Sequence, residues 1–115
     1  MPLLKLETTV ALADDKKKAL LASLSKIVAG TIGKPEQYVM VTINPTTILM
    51  SGKTGEAAFV DLRSIGGLNN SVNHQLSQKI GALLKESLGV PPDRIYLNFT
   101  DVPAGNWGWN NDTIG

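Results

Sequence analysis

Two hydrophobic rhythms alternate along this chain, one with a period near two and one near 3.6. Residues 3–9 (LLKLETT) alternate over part of their length and predict a strand. Asp14 and Asp15 follow as candidate helix caps. Leu20, Leu21, Leu24, Ile27, Val28 and Ile32 then fall at three- and four-residue intervals, which predicts an amphipathic helix ended by Gly33. Pro35 forbids its continuation, because proline has no N–H and its ring collides with the preceding turn. Residues 38–44 (YVMVTIN) predict the next strand, with Val39, Val41 and Ile43 on one face and Met40 and Thr42 on the other. A short strand is expected around residues 47–50, running into the turn SGKTGE. Residues 57–62 (AAFVDL) form the next long strand, and the turn SIGGLNN leads to a second helix. That helix is striped by Val72, Leu76, Ile80, Leu83, Leu84 and Leu88 and closed by Gly89. Pro91 and Pro92 stop it, and residues 94–100 (RIYLNFT) make a strand with Ile95, Leu97 and Phe99 on one face.

The rhythm repeats. IGKPEQYVMVTIN, from Ile32, lies over LGVPPDRIYLNFT, from Leu88, at an offset of 56 residues, matching Gly33 with Gly89, Pro35 with Pro91, Val39 with Ile95 and Val41 with Leu97. The same offset puts Leu4 and Leu6 on Val60 and Leu62. The expected fold is α+β: two βαβ units in tandem, pseudo-repeats at about 2–50 and 57–105 of one domain spanning residues 1–115. Right-handed crossovers put both helices on one face of a four-stranded sheet. The other face, with Leu3, Lys5, Met40, Thr42, Phe59, Asp61, Tyr96, Asn98 and Thr100, has nothing in the chain to cover it. Such a face is too apolar to leave wet and too polar for a private core, which implies a homo-oligomer packed through its sheets. Trp107, Trp109 and Ile114 in the glycine- and asparagine-rich tail suit an interface or pocket wall better than open water.

Composition narrows the chemistry. A net charge of +1 gives no field to track a phosphate backbone, so nucleic acid is not an expected partner. The absence of cysteine excludes disulfides, thiolate chemistry and cysteine metal sites, and the single histidine, His74, excludes a multi-histidine one. No cofactor is implied. The N-terminus lacks the apolar core of a signal peptide, and no apolar run is long enough to span a bilayer. The expected location is the cytoplasm, with export by a route independent of a signal peptide as the alternative.

Most motif-like stretches dissolve on inspection. Gly52-Lys53-Thr54 resembles the end of a phosphate-binding loop, but the glycine that loop requires is replaced by Thr47 and no helix follows. Gly66 and Gly67 lack the remaining glycines of a dinucleotide loop and read as a tight turn. His74 falls on the polar side of the second helix, and the glycosylation-like triplets at Asn69, Asn98 and Asn111 mean nothing without secretion. Two features keep a chemical reading. An initiator methionine before a small residue is normally removed, so the mature chain is expected to begin at Pro2 with a free secondary amine. An α-amino group titrates near ~8, and desolvation or a neighbouring cation lowers that value, making the amine a candidate base. The bland alternative is that Met-Pro is a common start without chemical meaning. Lys34, just past the first helix, either complements the helix dipole or stands beside Pro2, depressing the amine and binding an anion. Its repeat partner is Val90, so the turn itself does not need a lysine.

Taken together, Met1-Pro2, GKPEQY at residues 33–38, SIG at 64–66, PDRIYLNF at 92–99 and GWNN at 108–111 resemble the macrophage migration inhibitory factor family of the tautomerase superfamily, in order and nearly in spacing. The resemblance implies a ring-shaped homotrimer with its sites at the subunit boundaries. By position it implies Pro2 as catalytic base, Lys34 as the cation beside it, and Ile65 as an apolar wall and backbone amide. Tyr96 and Asn98 would come from the adjacent chain, and Tyr38 and Trp109 would close an aromatic pocket. The implied activity is keto–enol tautomerisation of a small aromatic α-keto acid such as phenylpyruvate, without metal or cofactor. The alternative is cytokine-like signalling through a receptor protein, with vestigial catalysis. A third reading keeps the scaffold but hydrates or dehalogenates a small unsaturated acid. Four departures bear on these readings. Ala58-Phe59-Val60-Asp61 stands where the vertebrate cytokine has Cys-Ala-Leu-Cys, which removes the thiol oxidoreductase activity attributed to that motif. Arg63 replaces a pocket histidine of some relatives, Trp107 a valine, and Ile114 a phenylalanine, all of which bear on substrate preference.

Overall fold

The alternation of the first strand becomes an alternation of burial. In β1 (Pro2–Thr8), Pro2, Leu4, Leu6 and Thr8 are buried while the residues between them are half-buried. Successive strand side chains point to opposite faces, and only one face of this sheet is covered. The computed structural model describes residues 1–115 and continues with α1 (Asp14–Ile32), β2 (Met40–Pro45), β3 (Ala58–Ser64), α2 (Asn70–Leu88) and β4 (Ile95–Asp101). A terminal hairpin of β5 (Gly108–Trp109) and β6 (Asp112–Thr113) completes it. The strand order is β2-β1-β3-β4, with β1 parallel to β2, antiparallel to β3, and β3 parallel to β4. The fold is thus α+β, two βαβ units side by side. Leu4, Leu6, Val60 and Leu62 of the two central strands pack with Leu24 and Val28 of α1 and with Leu76, Ile80 and Leu84 of α2 in one core. Neither helix is long and apolar enough to cross a membrane.

Helix ends follow local chemistry. Gly33 and Gly89, equivalent in the two repeats, close their helices in the left-handed conformation at φ 81° and 70°, which a side chain with Cβ resists. Asn69 caps α2 by accepting a 2.9 Å hydrogen bond from the Val72 N–H. Asp14 and Asp15 are not caps. They occupy the first turn of α1, where their charges meet the positive end of the helix dipole, while Ala13 holds the cap position without a side-chain bond.

Two other sequence expectations change. Tyr38 does not begin β2; it ends a 3₁₀ turn, its N–H donating to the Pro35 carbonyl at 3.1 Å. Residues 47–50 do not form a strand within the chain. Only Met50 pairs, with Lys53, across a tight turn in which Ser51 and Gly52 both have positive φ (55° and 70°). A strand exists only with a neighbour to receive its ladder bonds, and the chain offers residues 47–49 none. The loop is instead pinned by Arg94, whose guanidinium donates to the carbonyls of Glu56 (2.8 Å), Met50 (3.2 Å) and Lys53 (3.1 Å). Removing one charged donor that serves three carbonyls should lower stability by about 1–3 kcal/mol. Arg94→Ala is therefore expected to shift the urea midpoint downward, and Arg94→Lys, which lacks the fork, to recover only part. An unchanged midpoint would show that the loop holds itself.

The opposite sheet face is bare. Rows of register neighbours cross it: Met40, Leu3, Arg63, Thr100; then Thr42, Lys5, Asp61, Asn98; then Asn44, Glu7, Phe59, Tyr96. Tyr96 is 67% and Met40 62% exposed, far beyond what large apolar side chains show when a chain covers itself.

Candidate active site

The antiparallel ladder places Pro2, the first residue of β1, opposite Ser64, the last residue of β3. The head of the chain is therefore held against the turn that follows β3. Three bonds set that turn: the Ser64 hydroxyl donates to the Gly66 carbonyl (2.7 Å), the Gly66 N–H to Asp101 Oδ1 (2.9 Å), and the Val102 N–H to the Ser64 carbonyl (2.9 Å). None of them uses the N–H of Ile65, which stays free to donate.

On its far side the turn meets the end of α1. A Cβ on Gly67 would stand 2.6 Å from Ile32 Cγ2 and 3.5 Å from Lys34 Cε, and Gly67 has φ 80°, so both space and backbone demand glycine there. The same contact shows that the Lys34 stem runs beside the turn carrying Ile65. Lys34 is itself steered by the left-handed Gly33, its N–H donating to the Ala29 carbonyl at 3.1 Å. Its ammonium lies close enough to act on the chain's terminal amine. Burial, and then the positive charge of Lys34, hold the Met1 amine below the ordinary α-amino range.

A cleft of about 680 Å³ opens at this end of the sheet. Its floor is Met1 with the start of β1, Pro2 and Leu3, and one wall is the segment entering β2, with Tyr38, Val39 and Met40. The other wall is Trp107, Gly108 and Trp109. Asn110 and Asn111, at φ 54° and 64°, make the tight turn that lets β5 and β6 pair, and the Ile114 N–H ties the end of the tail to the Trp107 carbonyl at 2.9 Å. The Tyr38 and Trp109 rings meet edge to face, centroids 6.3 Å apart, bridging the two walls.

Of the residues singled out from sequence, Pro2, Tyr38 and Trp109 line this cleft, Lys34 stands beside the terminal amine, and Ile65 lies in the turn next to Pro2's ladder partner. Tyr96 and Asn98 are not brought there by their own chain. They sit on the outer strand β4, in register with Phe59 and Asp61 and hence with Glu7 and Lys5, toward the other end of β1 from Pro2. Leu3, Gln37, Met40 and Gly67 are not among the site residues expected from the sequence, whereas Trp107, expected at an interface or pocket wall, does line the cleft. Two residues before Trp109 in an extended segment, Trp107 shares that residue's face.

Known proteins share this arrangement of the chain. The family model described as macrophage migration inhibitory factor matches residues 1–115. The chain is 37% identical to the macrophage migration inhibitory factor homolog of Trichuris trichiura over 115 residues, covering 99% of this chain and 100% of that one. It is 35% identical to the macrophage migration inhibitory factor of Meriones unguiculatus over 115 residues, covering 99% of each. The crystal structure of the homologue from Prochlorococcus marinus superposes with a TM-score of 0.93 at 38% identity, covering 98% of this chain and 99% of that one. Matched over its whole length in sequence and in fold, the chain belongs to the macrophage migration inhibitory factor family.

Proposed function

We propose that this protein catalyses the keto–enol tautomerisation of an aromatic α-keto acid such as phenylpyruvate, with the Pro2 amine, freed by loss of Met1, as the base. One observation carries the proposal: the terminal amine, here that of Met1, lies at the floor of an aromatic-walled cleft and is held below the ordinary α-amino range by burial and then by the charge of Lys34, the direction that favours the neutral form a base needs. Neutral Pro2 takes the proton from the carbon next to the ketone and returns it to the oxygen, or the reverse. No atom is gained or lost, and no cofactor takes part. Negative charge grows on the enolate oxygen as the C–H bond breaks, so the Lys34 ammonium and the unused Ile65 N–H interact more strongly with the transition state than with the substrate. The substrate ring packs against Tyr38 and Trp109.

In this reading Tyr96 and Asn98 reach the cleft from another copy. Three chains pack through their bare sheet faces, bringing the outer edge of β4 of one protomer to the cleft of the next and giving residues 47–50 a strand to pair with. The uncovered face and the exposed Tyr96 support this. Light scattering on the eluting protein is expected to return three times the 12.3 kDa chain mass. Phenylpyruvate turnover is expected to rise with pH through an apparent pKa below ~8, the ordinary α-amino value. A fully active monomer would remove the shared site, and absence of turnover by the Pro2-terminated protein would remove the reaction.

A further inference from the structure

Arg63 takes no part in the proton transfer above, yet it stands one register position from the Pro2 end of the sheet, paired with Leu3 across the β1–β3 ladder. A second hollow, of about 270 Å³, opens there between Leu3, Arg63, Val102, Asn106, Trp107 and Gly108. Leu3, Trp107 and Gly108 also line the main cleft, so the two spaces share a wall and a ligand seated in one has the other within reach.

The guanidinium in this hollow is held in a defined plane. Its Nε donates to Asp61 Oδ1 (3.4 Å) and its Nη2 to Asp61 Oδ2 (3.1 Å), while Nη1 has no partner in the chain. In the single chain half of the side chain surface is exposed (51%). A planar fork fixed along one edge and open on another is prepared for an oxyanion, because little side-chain freedom remains to be lost on binding. Asp61 offsets part of the charge, so recognition depends on direct hydrogen bonding at close range more than on long-range attraction.

We infer that this hollow is a second anion subsite, in which Arg63 selects aromatic keto acids whose ring carries a further carboxylate. The inference rests on the proposed function for the orientation of the first carboxylate toward Lys34, and its test is chosen to stand apart from turnover. The chain's two tryptophans, Trp107 and Trp109, both line the cleft, so their fluorescence reports occupancy. Unreactive hydrocinnamate and its para-carboxy derivative are titrated in turn. The wild-type protein is expected to bind the dicarboxylate about tenfold more tightly. Arg63→Gln brings the ratio of the two Kd values close to one, and Arg63→Lys, which keeps the charge, retains part of the preference. Equal or undetectable binding of the two acids by the wild type, or an undiminished ratio in Arg63→Gln, overturns the inference. A preference that holds in a protein unable to turn over phenylpyruvate leaves the subsite standing and removes only the proposed reaction.

Discussion

Protein that keeps Met1 is expected to turn over phenylpyruvate about a thousandfold more slowly than protein beginning at Pro2, the scale on which a positioned acid–base group contributes. In the retained form the Pro2 nitrogen belongs to an amide, whose lone pair is delocalised into the carbonyl and does not accept a proton near neutrality. The Met1 amine is itself weakened by burial and by Lys34 and lies at the same cleft, so it is the obvious substitute. It is one residue out of place, about 3.8 Å along the chain, and a displacement of even about 1 Å is enough to cost about a hundredfold in a near-attack geometry. Pro2→Gly, processed to a free glycine, tests the same atom differently. It restores an amine at the right position in the chain but removes the fully buried ring that constrains the nitrogen. Most turnover should be lost while the circular dichroism spectrum and oligomeric mass are preserved. Full activity in either the Met1-retaining protein or Pro2→Gly would place the base elsewhere.

Lys34→Gln is expected to lower kcat/KM by about a hundredfold, as loss of one preorganised partner of a developing oxyanion does. It should also leave a signature that simple loss of binding cannot. The Lys34 charge disfavours the protonated amine, so it is one of the two causes that hold the pKa of the terminal amine down. Without it that pKa rises, a smaller share of the amine is neutral at pH 7, and the rising limb of the pH–rate profile moves to higher pH. Lys34→Arg keeps the charge and should keep the limb where it is, even if a bulkier head group slows the reaction. A Lys34→Gln profile with a lowered plateau but an unmoved limb would mean that Lys34 binds substrate without acting on the base.

The parts of this molecule legible in its sequence are those whose cause is local. The period-two pattern at Leu4 and Leu6 and the three-and-four pattern from Leu20 to Ile32 name the buried faces directly, since burial on one side of a strand or helix generates the period. Gly33 and Gly89 mark two helix ends because a left-handed C-cap favours one residue type strongly. Where the expectation slipped, the deciding partner was distant. Tyr38 is β-rich in composition but is taken by a turn after Pro35, and residues 47–50 have strand-forming residues without a neighbouring strand. The capping carboxylates of α1 are absent because the chain enters the helix one residue earlier, at Ala13.

The candidate site divides along the same line. Met1-Pro2, Lys34, Tyr38 and Trp109 stand out in the sequence by residue type and motif; the fold lines one cleft with Met1, Pro2, Tyr38 and Trp109 and brings the charge of Lys34 to bear on the terminal amine. Gly67 carries no such mark; its requirement comes from Ile32 and Lys34, met across a turn by a residue remote in the chain. The same holds for Arg63, which becomes a candidate anion ligand only because the ladder sets it beside Leu3 and the terminal hairpin raises Trp107 over the adjoining hollow. By itself the sequence determined the repeated strand–helix–strand order, the two buried stripes and the existence of a bare sheet face, because each follows from the spacing of side chains along one backbone. Only the tertiary structure decided which residues share the cleft, which amide is left free, and that Tyr96 and Asn98 lie beyond the reach of their own Pro2. Those facts depend on strand order and register, and register is settled by how whole faces pack rather than by any single residue.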